Sequence, residues 1–447
     1  MMGNEQEYIE LFGQNRELID STCAPLLNSK RQDAFERFKA AGFPTRKDEA
    51  WFNTPIAKLF GIDYGMNLKR AEAGVNAGTI FHCDVPNLKS HRVYIVNDSY
   101  SPAAGHNREL PEGVILGSLN AIANNHPALL EKYYNRLAAD GDSIVQFNTM
   151  FAQDGVVLYV PKGTVIEETI QIVSLIQANV DMLLNRRLLV ILEENSKANI
   201  LLCDHSSQEK QSLSTLVTEV FVGAGASLNI YDFEETATGN TRVASLFVDQ
   251  QADSRFNHCC VTLTNGFTRN SANVALSGQG ADTSINGLAI GDKTQHIDNH
   301  TLVEHRVPDC TSSELYKYIL DESSTGVFAG KMHIHPDAQR TVSQQTNRNL
   351  CLTTCAHMYA QPQLEIYADD VKCSHGSTVG QLDENALFYM QQRGIPADEA
   401  RHLLMYAFAG EVIENIDIVP LKERLHILIE KRFRGELGKC KGCNLCK

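Results

Sequence analysis

The residues best placed to do chemistry in this sequence are a cysteine and a histidine two positions apart, Cys373 and His375. A glycine-containing turn and a strongly helical stretch follow them. If the segment is extended, both side chains lie on one face of a strand, where a thiolate and an imidazole can bind the same iron or zinc ion. Two ligands do not complete a tetrahedral site, so the pair requires further ligands from this chain or from a partner. The alternative is a buried thiol beside a hydrogen-bonded imidazole.

A second set of metal-binding residue types lies near the end of the sequence. Cys440, Cys443 and Cys446 form a Cys-x2-Cys-x2-Cys pattern, whose spacing allows three thiolates to hold one iron–sulfur cluster or metal ion. A ferredoxin-type site takes a fourth cysteine, usually followed by proline, which this segment lacks. Metal binding, thiol exchange and the absence of any role therefore remain alternatives for these cysteines.

Several histidines precede the Cys-x-His pair. His333 and His335 again have a spacing of two, while His296, His300 and His305 lie one or two repeats earlier. Stacked strands would bring some of these imidazoles together. Because histidine is also common in ordinary strands and turns, we expect most of them to be structural and retain His333 and His335 as weaker candidates.

The region that must position the Cys-x-His pair is a series of short strands between residues 156 and 380. A small residue beside a polar turn returns at intervals of 28, 26, 29, 29 and 28 residues. A near-constant step of this length is typical of a solenoid, whose coils bury their faces only against neighbouring coils. A β-sandwich also has short strands and turns, but it does not by itself produce the step. We therefore predict a mainly β fold, a stacked parallel β-helix. The recurring small residues are Ala198, Ala226, Ala252, Ala281, Cys310 and Ala338.

Helical patterns on both sides of the strand series define the expected domains. Residues 1–145 are predicted to form an N-terminal helical and mixed α/β region, and residues 146–382 the β-helix core. Asp383 is a candidate N-cap for the first of three helices in a C-terminal helical domain, residues 383–436. Residues 437–447 form a cysteine-rich tail.

The second predicted C-terminal helix is unusually apolar. A short helical domain with surplus apolar surface often docks a partner. Packing of the three helices on one another, as a cap on the solenoid, explains the pattern equally well. The apolar residues are Leu403, Leu404, Tyr406, Phe408, Val412 and Ile413.

Composition and known motifs exclude several classes of function. A net charge of -14, from 40 basic and 54 acidic residues, argues against a nucleic-acid partner. No apolar run approaches the roughly 18 residues that a membrane span requires, and no signal-peptide pattern is present, so we expect a cytoplasmic protein without a membrane partner. Phosphate-binding loops, nucleophile elbows and metalloprotease motifs are also absent.

Three segments resemble the SufB/SufD family of SUF-system iron–sulfur cluster assembly scaffolds. Residues 363–394 carry the closest resemblance, residues 42–51 are similar to the family's Pro-Thr-Arg-Lys-x-Glu-x-Trp segment, and residues 396–415 are similar to its C-terminal helices. Because these segments lie near both ends of the sequence, the resemblance spans nearly the whole chain. The resemblance implies a right-handed parallel β-helix between helical ends, and a scaffold without catalytic turnover.

The resemblance also implies partners and roles. The family's scaffolds pair with a sister SufB-type subunit and bind a SufC-type ATPase through the C-terminal helices, and the isolated chain is expected to pair with itself. His375 matches the family's interface histidine, which helps to build the nascent cluster, and Cys373 is its matched neighbour. A transient iron–sulfur cluster or iron at the shared interface is implied, with no cofactor bound tightly to the isolated chain.

The resemblance further indicates the D-type branch of the family. B-type chains have an acidic residue where this sequence has Gly376, and a cluster-building cysteine near positions 347–349, where this sequence has Asn-Arg-Asn. Cys351 and Cys355 are close to that place but do not align with it, and we assign them no role. The terminal cysteine pattern departs from the family.

Two other functions compete with the scaffold prediction. A carbohydrate-active β-helix enzyme would use paired carboxylates in a groove, but such enzymes are generally secreted and line one face with carboxylates and aromatic residues. An electron carrier would depend on Cys440, Cys443 and Cys446. We prefer the scaffold, because the distinctive residues lie at the end of the predicted solenoid.

Overall fold

The computed structural model describes residues 4–71, 85–102, 109–177, 179–206 and 210–436. None of its helices is long and apolar enough to cross a lipid bilayer. The helices of this part of the chain are α1 (Asn4–Ser21), α2 (Pro25–Ala41), α3 (Leu119–Asn125), α4 (Pro127–Leu130), α5 (Ser143–Phe151), α6 (Glu384–Gln392), α7 (Ala397–Ile413) and α8 (Val419–Phe433). The strands are β1 (Ser90–Val96), β2 (Ser99–Pro102), β3 (Ile115–Ser118), β4 (Val156–Val160), β5 (Thr169–Ile176), β6 (Met182–Leu192), β7 (Lys197–Ser206), β8 (Ser212–Val222), β9 (Ser227–Glu235), β10 (Asn240–Gln250), β11 (Arg255–Thr264), β12 (Phe267–Leu276), β13 (Asp282–Gly291), β14 (His296–His305), β15 (Thr311–Leu320), β16 (Thr325–Ile334), β17 (Thr341–Cys351), β18 (His357–Ile366) and β19 (Val371–Gly380).

The strands form two sheets that face each other. We call sheet 1 the ten-stranded sheet ordered β2-β1-β5-β7-β9-β11-β13-β15-β17-β19, and sheet 2 the nine-stranded sheet ordered β3-β4-β6-β8-β10-β12-β14-β16-β18. From β4 onward, each strand pairs in parallel with the strand two places later in the chain. The chain therefore coils, alternating between the sheets, and the predicted parallel β-helix is confirmed.

The repeat of the sequence comes from one corner, where the chain passes from sheet 2 to sheet 1. At this corner, in the six coils from β6–β7 to β16–β17, one residue per coil has a left-handed backbone with φ between 54° and 77°, a conformation that Gly, Asn and Asp tolerate best. These residues are Asn195, Gly225, Asp253, Gly280, Asp309 and Arg340. The next residue is small and buried, and these residues are Ser196, Ala226, Ser254, Ala281, Cys310 and Thr341.

Three of the predicted small residues occupy this corner, and three do not. Ala226, Ala281 and Cys310 follow the left-handed residue. By contrast, the predicted residues Ala198, Ala252 and Ala338 lie two or three positions away from the small buried residue of their own corner, which is Ser196, Ser254 or Thr341. The predicted step length is confirmed. The small corner residue is misassigned in three coils, because serine and threonine occupy this position as readily as alanine.

Helices cover both outer faces of the solenoid along part of its length. N-terminal helices pack on the outer face of sheet 2, where the buried Trp51 lies under the Arg269 guanidinium, with 4.0 Å between the guanidinium carbon and the ring centroid. The C-terminal helices pack on the outer face of sheet 1, in a cluster that includes Tyr231, Val261 and Ile319.

Polar contacts hold the C-terminal helices on sheet 1. The Lys317 ammonium is buried, donates to the Phe408 carbonyl at 2.9 Å and pairs with Glu411, while Arg432 pairs with Asp292 at 2.7 Å. The helices therefore lie against the flank of the solenoid instead of capping its end.

Two residues of the predicted docking surface are buried in the contact between the C-terminal helices and sheet 1. Val412 and Ile413 are 0% exposed because they pack against sheet 1. They therefore attach the helices to the solenoid, and in this structure they offer no surface to a partner.

Buried acids line the interior of the solenoid. Burial raises the pKa of Glu234 and of Glu314 to about 7. Glu314 accepts one hydrogen bond from the Gln345 amide at 2.6 Å, which only partly offsets its loss of water.

The first prediction tests the attachment of the C-terminal helices. Replacing the buried Ile413 by alanine should lower the free energy of unfolding by about 2–5 kcal/mol, because it leaves a cavity against sheet 1. Leu403→Ala, at a 41% exposed position of the same helix, should cost less than about 1 kcal/mol. Chemical unfolding, with hydrogen exchange of α7 and α8, measures both, and equal losses would contradict the assigned packing.

The second prediction concerns Glu314 and pH. In the folded chain burial raises the pKa of this carboxyl to about 7, so it keeps its proton up to about that pH, whereas a free glutamate side chain has a pKa of 4.5. The folded state thus binds more protons than the unfolded state between these values, so its stability falls as pH rises through them. Glu314→Gln cannot titrate, and its stability relative to wild type should rise by roughly 2.5 kcal/mol between pH 5 and pH 8.

Urea unfolding at several pH values measures this difference. Glu167→Gln, at an exposed position, is the control and should show no comparable change relative to wild type. A Glu314→Gln difference that stays flat with pH would show that this carboxyl is not held protonated.

Candidate functional site

Both sheets end at the same end of the solenoid. Within the described residues β19 pairs only with β17, and β18 only with β16, so each last strand has one edge without a strand partner. Such edges present a row of free backbone N–H and C=O groups to another chain. The Cys-x-His pair therefore lies at an end of the solenoid where both sheets have unpaired edge strands, which we call the open end.

The side chains of Cys373 and His375 lie on the inner side of β19. Cys373 is in register with Ser343 and His375 with Gln345, and both of these β17 residues are buried in the solenoid. No further coil of the described chain covers the last strand, so His375 is exposed although its position is an interior one. The predicted placement of the pair on one face of a strand is confirmed.

Cys373 is half-buried and packs against a small apolar cluster of Ile334, Ala338 and Ala368. Burial raises its pKa, although the Ser343 backbone N–H partly opposes the rise. In the isolated chain this group is therefore a neutral thiol, which is a poorer metal ligand than a thiolate.

Two buried polar residues, Gln345 and Glu314, lie next to His375 in the interior of the solenoid. Gln345 lies beside His375 in the strand register, and Glu314 lies beside Gln345 one coil further in. The Gln345 amide donates to Glu314, and its own oxygen is buried without a hydrogen-bond partner in the described part of the chain. We did not predict these two residues from the sequence, although their separations from His375 follow the repeat of the solenoid.

Amides occupy the interior next to the site. Asn347 and Asn349 are buried, and each side-chain amide donates to the Oδ1 atom of the other, at 3.1 and 2.6 Å. The Ser377 hydroxyl donates to Asn347 Oδ1 at 3.0 Å. These positions therefore hold no thiol. Cys351 ends β17 with a pKa raised by burial, and Cys355 is exposed in the turn before β18.

Three of the predicted histidines have structural surroundings. His305 is buried, contacts the Ser312 hydroxyl at 2.8 Å and has a pKa lowered to about 4 by burial. His296 stacks on Phe267, and His300 lies 3.1 Å from a carboxylate oxygen of Asp298. Solenoid stacking does not bring these three imidazoles together with His375.

His333 and His335 lie on the outer face of sheet 2, opposite in direction to the interior residues Met332 and Ile334. They are therefore separate from His375, which belongs to the inner side of sheet 1. Their rings stack with centroids 4.4 Å apart, and Glu304 lies beside them. We did not predict Glu304, although it precedes His333 by one 29-residue step.

The other predicted site residues divide between exposed and buried positions. Leu403 is exposed and Leu404 partly exposed, whereas Tyr406 packs on His426 of α8. Phe408 lies under the Lys317 ammonium, with 4.2 Å from the nitrogen to the ring centroid. Cys440, Cys443 and Cys446 lie outside the described residues.

Exposed apolar side chains surround the open end. Tyr367 is 60% exposed and Val379 55% exposed, an unusual exposure for large apolar residues. The end therefore combines free strand edges, apolar surface, one imidazole and one thiol. The remaining large apolar residues exposed between positions 342 and 389 are Val342, Tyr359, Ile366, Phe388 and Tyr389.

Two family models match the sequence. One, described as SUF system FeS cluster assembly, SufBD core domain, matches residues 175–408. The other, described as SufBD protein N-terminal region, matches residues 2–172.

Three relatives match this chain along most of their length. An iron–sulfur cluster assembly SufBD family protein of Synechocystis is 27% identical over 424 residues, which cover 93% of each chain. The iron–sulfur cluster assembly protein SufD of Escherichia coli is 27% identical over 90% of this chain and 92% of its own. SufD of Bacillus subtilis is 26% identical over 76% of this chain and 79% of its own. This chain belongs to the SufBD family of SUF-system iron–sulfur cluster assembly proteins.

Proposed function

We propose that this chain is the D-type scaffold subunit of an iron–sulfur cluster assembly complex and that it has no catalytic turnover of its own. The observation that carries the proposal is the position of His375, an exposed imidazole on the inner side of an unpaired edge strand. The amides at Asn347 and Asn349 support the D-type assignment, since a B-type chain would have a cluster-building cysteine near them.

The proposed partner at the open end is a B-type subunit. Its own edge strands would pair with β18 and β19, so that both sheets continue from one subunit into the other and the apolar side chains around Tyr367 and Val379 are buried. Iron and sulfide are the substrates of this interface. His375 supplies a neutral, exchangeable ligand for iron, and thiolates of the partner supply the rest.

Cys373 has a secondary role in this proposal. Its half-buried thiol stays protonated in the free chain, and an iron ion at the interface would favour the thiolate. The thiol is then a ligand that becomes available only when the interface is loaded.

An ATPase of the SufC type is proposed to bind the C-terminal helices. Leu403 of α7 and Ile427 of α8 are exposed and apolar, whereas Val412 and Ile413 are occupied by sheet 1. Glu411 of α7 pairs with Lys317 of β15 and, at 3.2 Å, with Arg348 of β17. Movement of α7 would therefore act on β17, the strand that holds β19.

The third prediction tests His375. The His375→Ala variant should still form the complex when it is co-expressed with its B-type and ATPase partners, because one exposed side chain contributes little to a large interface. Iron and sulfide bound per complex should fall at least about tenfold, because the variant lacks the imidazole that binds iron at the interface. A tenfold loss corresponds to about 1.4 kcal/mol of binding free energy. Visible absorption and iron analysis after reconstitution measure the loss.

Two further variants complete this experiment. His126→Ala removes an exposed imidazole from the N-terminal region and should leave cluster formation unchanged. Replacing Cys440, Cys443 and Cys446 by serine should also leave it unchanged. If cluster formation survived His375→Ala but disappeared with the serine variant, the site would lie in the tail and the proposal would be wrong.

The fourth prediction tests ATPase docking. Leu403→Asp places a charge on the exposed surface of α7 and should weaken ATPase binding at least about tenfold, because a desolvated unpaired charge is costly at an interface. Val180→Asp, at an exposed apolar position before β6, should bind normally. Isothermal titration with the ATPase measures both affinities, and equal affinities would place the docking surface elsewhere.

A further inference from the structure

A second cluster of ligand-type side chains lies outside the candidate interface site, on the outer face of sheet 2. Glu304 of β14 is in register with His333 of β16, and His333 is in register with Glu365 of β18. Adjacent strands are about 4.8 Å apart, so the register places carboxylate, imidazole and carboxylate in one row across three strands.

His335 completes the cluster from the end of β16. It follows His333 by two residues, and the two rings stack with centroids 4.4 Å apart and planes at 18°. The His335 Nε2 atom is buried and faces Glu304 Oε1 at a distance of 3.5 Å. Ligand atoms of Glu304, His333 and His335 all lie within 4.8 Å of one another.

We propose that Glu304, His333 and His335 bind one divalent first-row transition metal ion. Zinc–nitrogen bonds of about 2.1 Å in a tetrahedron place ligand atoms about 3.4 Å apart, so small side-chain rotations from the observed positions suffice. Two imidazoles and a carboxylate select zinc, iron(II) or cobalt over magnesium and calcium, which take all-oxygen sites. Three protein ligands leave a fourth position for water.

The neighbouring charges define the roles further. Glu365 Oε2 lies 3.6 Å from His333 Nδ1, and Lys331 holds the other carboxylate oxygen, Oε1, at 2.7 Å. Glu365 is thus placed to orient the ring and to leave Nε2 for the metal. Arg306 contacts Glu304 at 2.6 Å and competes with the metal for one carboxylate oxygen. Glu365 is therefore a positioning residue, and the three ligands are Glu304, His333 and His335.

The test uses the full-length chain with Cys440, Cys443 and Cys446 replaced by serine, so that terminal thiolates do not bind the probe. After treatment with a chelator, titration with Zn²⁺ should give one site per chain. His335→Ala and Glu304→Gln should each weaken this site at least about tenfold, and Glu365→Gln should weaken it by about 10–100-fold. His357→Ala, at an exposed histidine on β18, should leave it unchanged.

Two further readouts make the result independent of folding defects. Co²⁺ should give visible bands of a four-coordinate site without the ultraviolet bands of cobalt–thiolate bonds, and Zn²⁺ should raise the melting temperature of the parent chain but not of the His335→Ala chain. Circular dichroism of the variants without metal should match the parent, because the replaced side chains are partly exposed. Absence of a stoichiometric site, or equal affinity in His335→Ala, would overturn the proposal.

Discussion

The structure depends on the register between successive coils. Each residue of a strand lies beside a residue about one repeat earlier, and its backbone N–H and C=O groups are satisfied by that coil and the next. This constraint holds for every coil except the last. Strands β18 and β19 have no following coil in the described chain, so their edges and the inward-pointing His375 are open. The same regularity that stabilises the solenoid thus leaves an unsatisfied surface at its end.

Register also explains why functional residue types cluster as they do. Residues far apart in sequence become neighbours only if they differ by whole repeats and lie on the same face of a strand. Glu314, Gln345 and His375 meet this condition on the inner face of sheet 1, and Glu304 and His333 meet it on the outer face of sheet 2. His305 follows Glu304 directly but points inward, and burial makes it a neutral structural group. Pointing direction explains His305, whereas His296 and His300 share the outer face with Glu304 and contact Phe267 and Asp298 instead.

Much of the fold was predictable from the sequence because the repeat is visible in it. The parallel β-helix follows from the near-constant step, and Asp383 caps α6 as predicted, with its side chain accepting from the Asn385 and Ala386 backbone N–H groups. The exact corner residue was not predictable, because alanine, serine, cysteine and threonine all fit a small buried position. The placement of Cys373 and His375 on one face required only strand periodicity.

The environment of the C-terminal helices was harder to predict. An apolar helix surface does not reveal what covers it, and Val412 and Ile413 were assigned to a partner although sheet 1 buries them. The signal was present in the strands: Tyr231, Cys259 and Val261 are apolar and outward-facing in sheet 1. Strands that are apolar on both faces belong to sheets covered on both sides. Combining the two patterns would have indicated that the helices lie on this sheet.

The pairing of Glu411 with Lys317 and Arg348 has a thermodynamic consequence. It ties a surface helix to β17, and β17 holds the edge strand that carries His375. Suppose that a ligand of α7 changes the affinity of the edge strand for its partner by some factor. By thermodynamic linkage, binding of that partner to the edge then changes the affinity of α7 for its ligand by the same factor. In the proposed complex, this ion-pair cluster would therefore let the helices sense whether the open end is occupied.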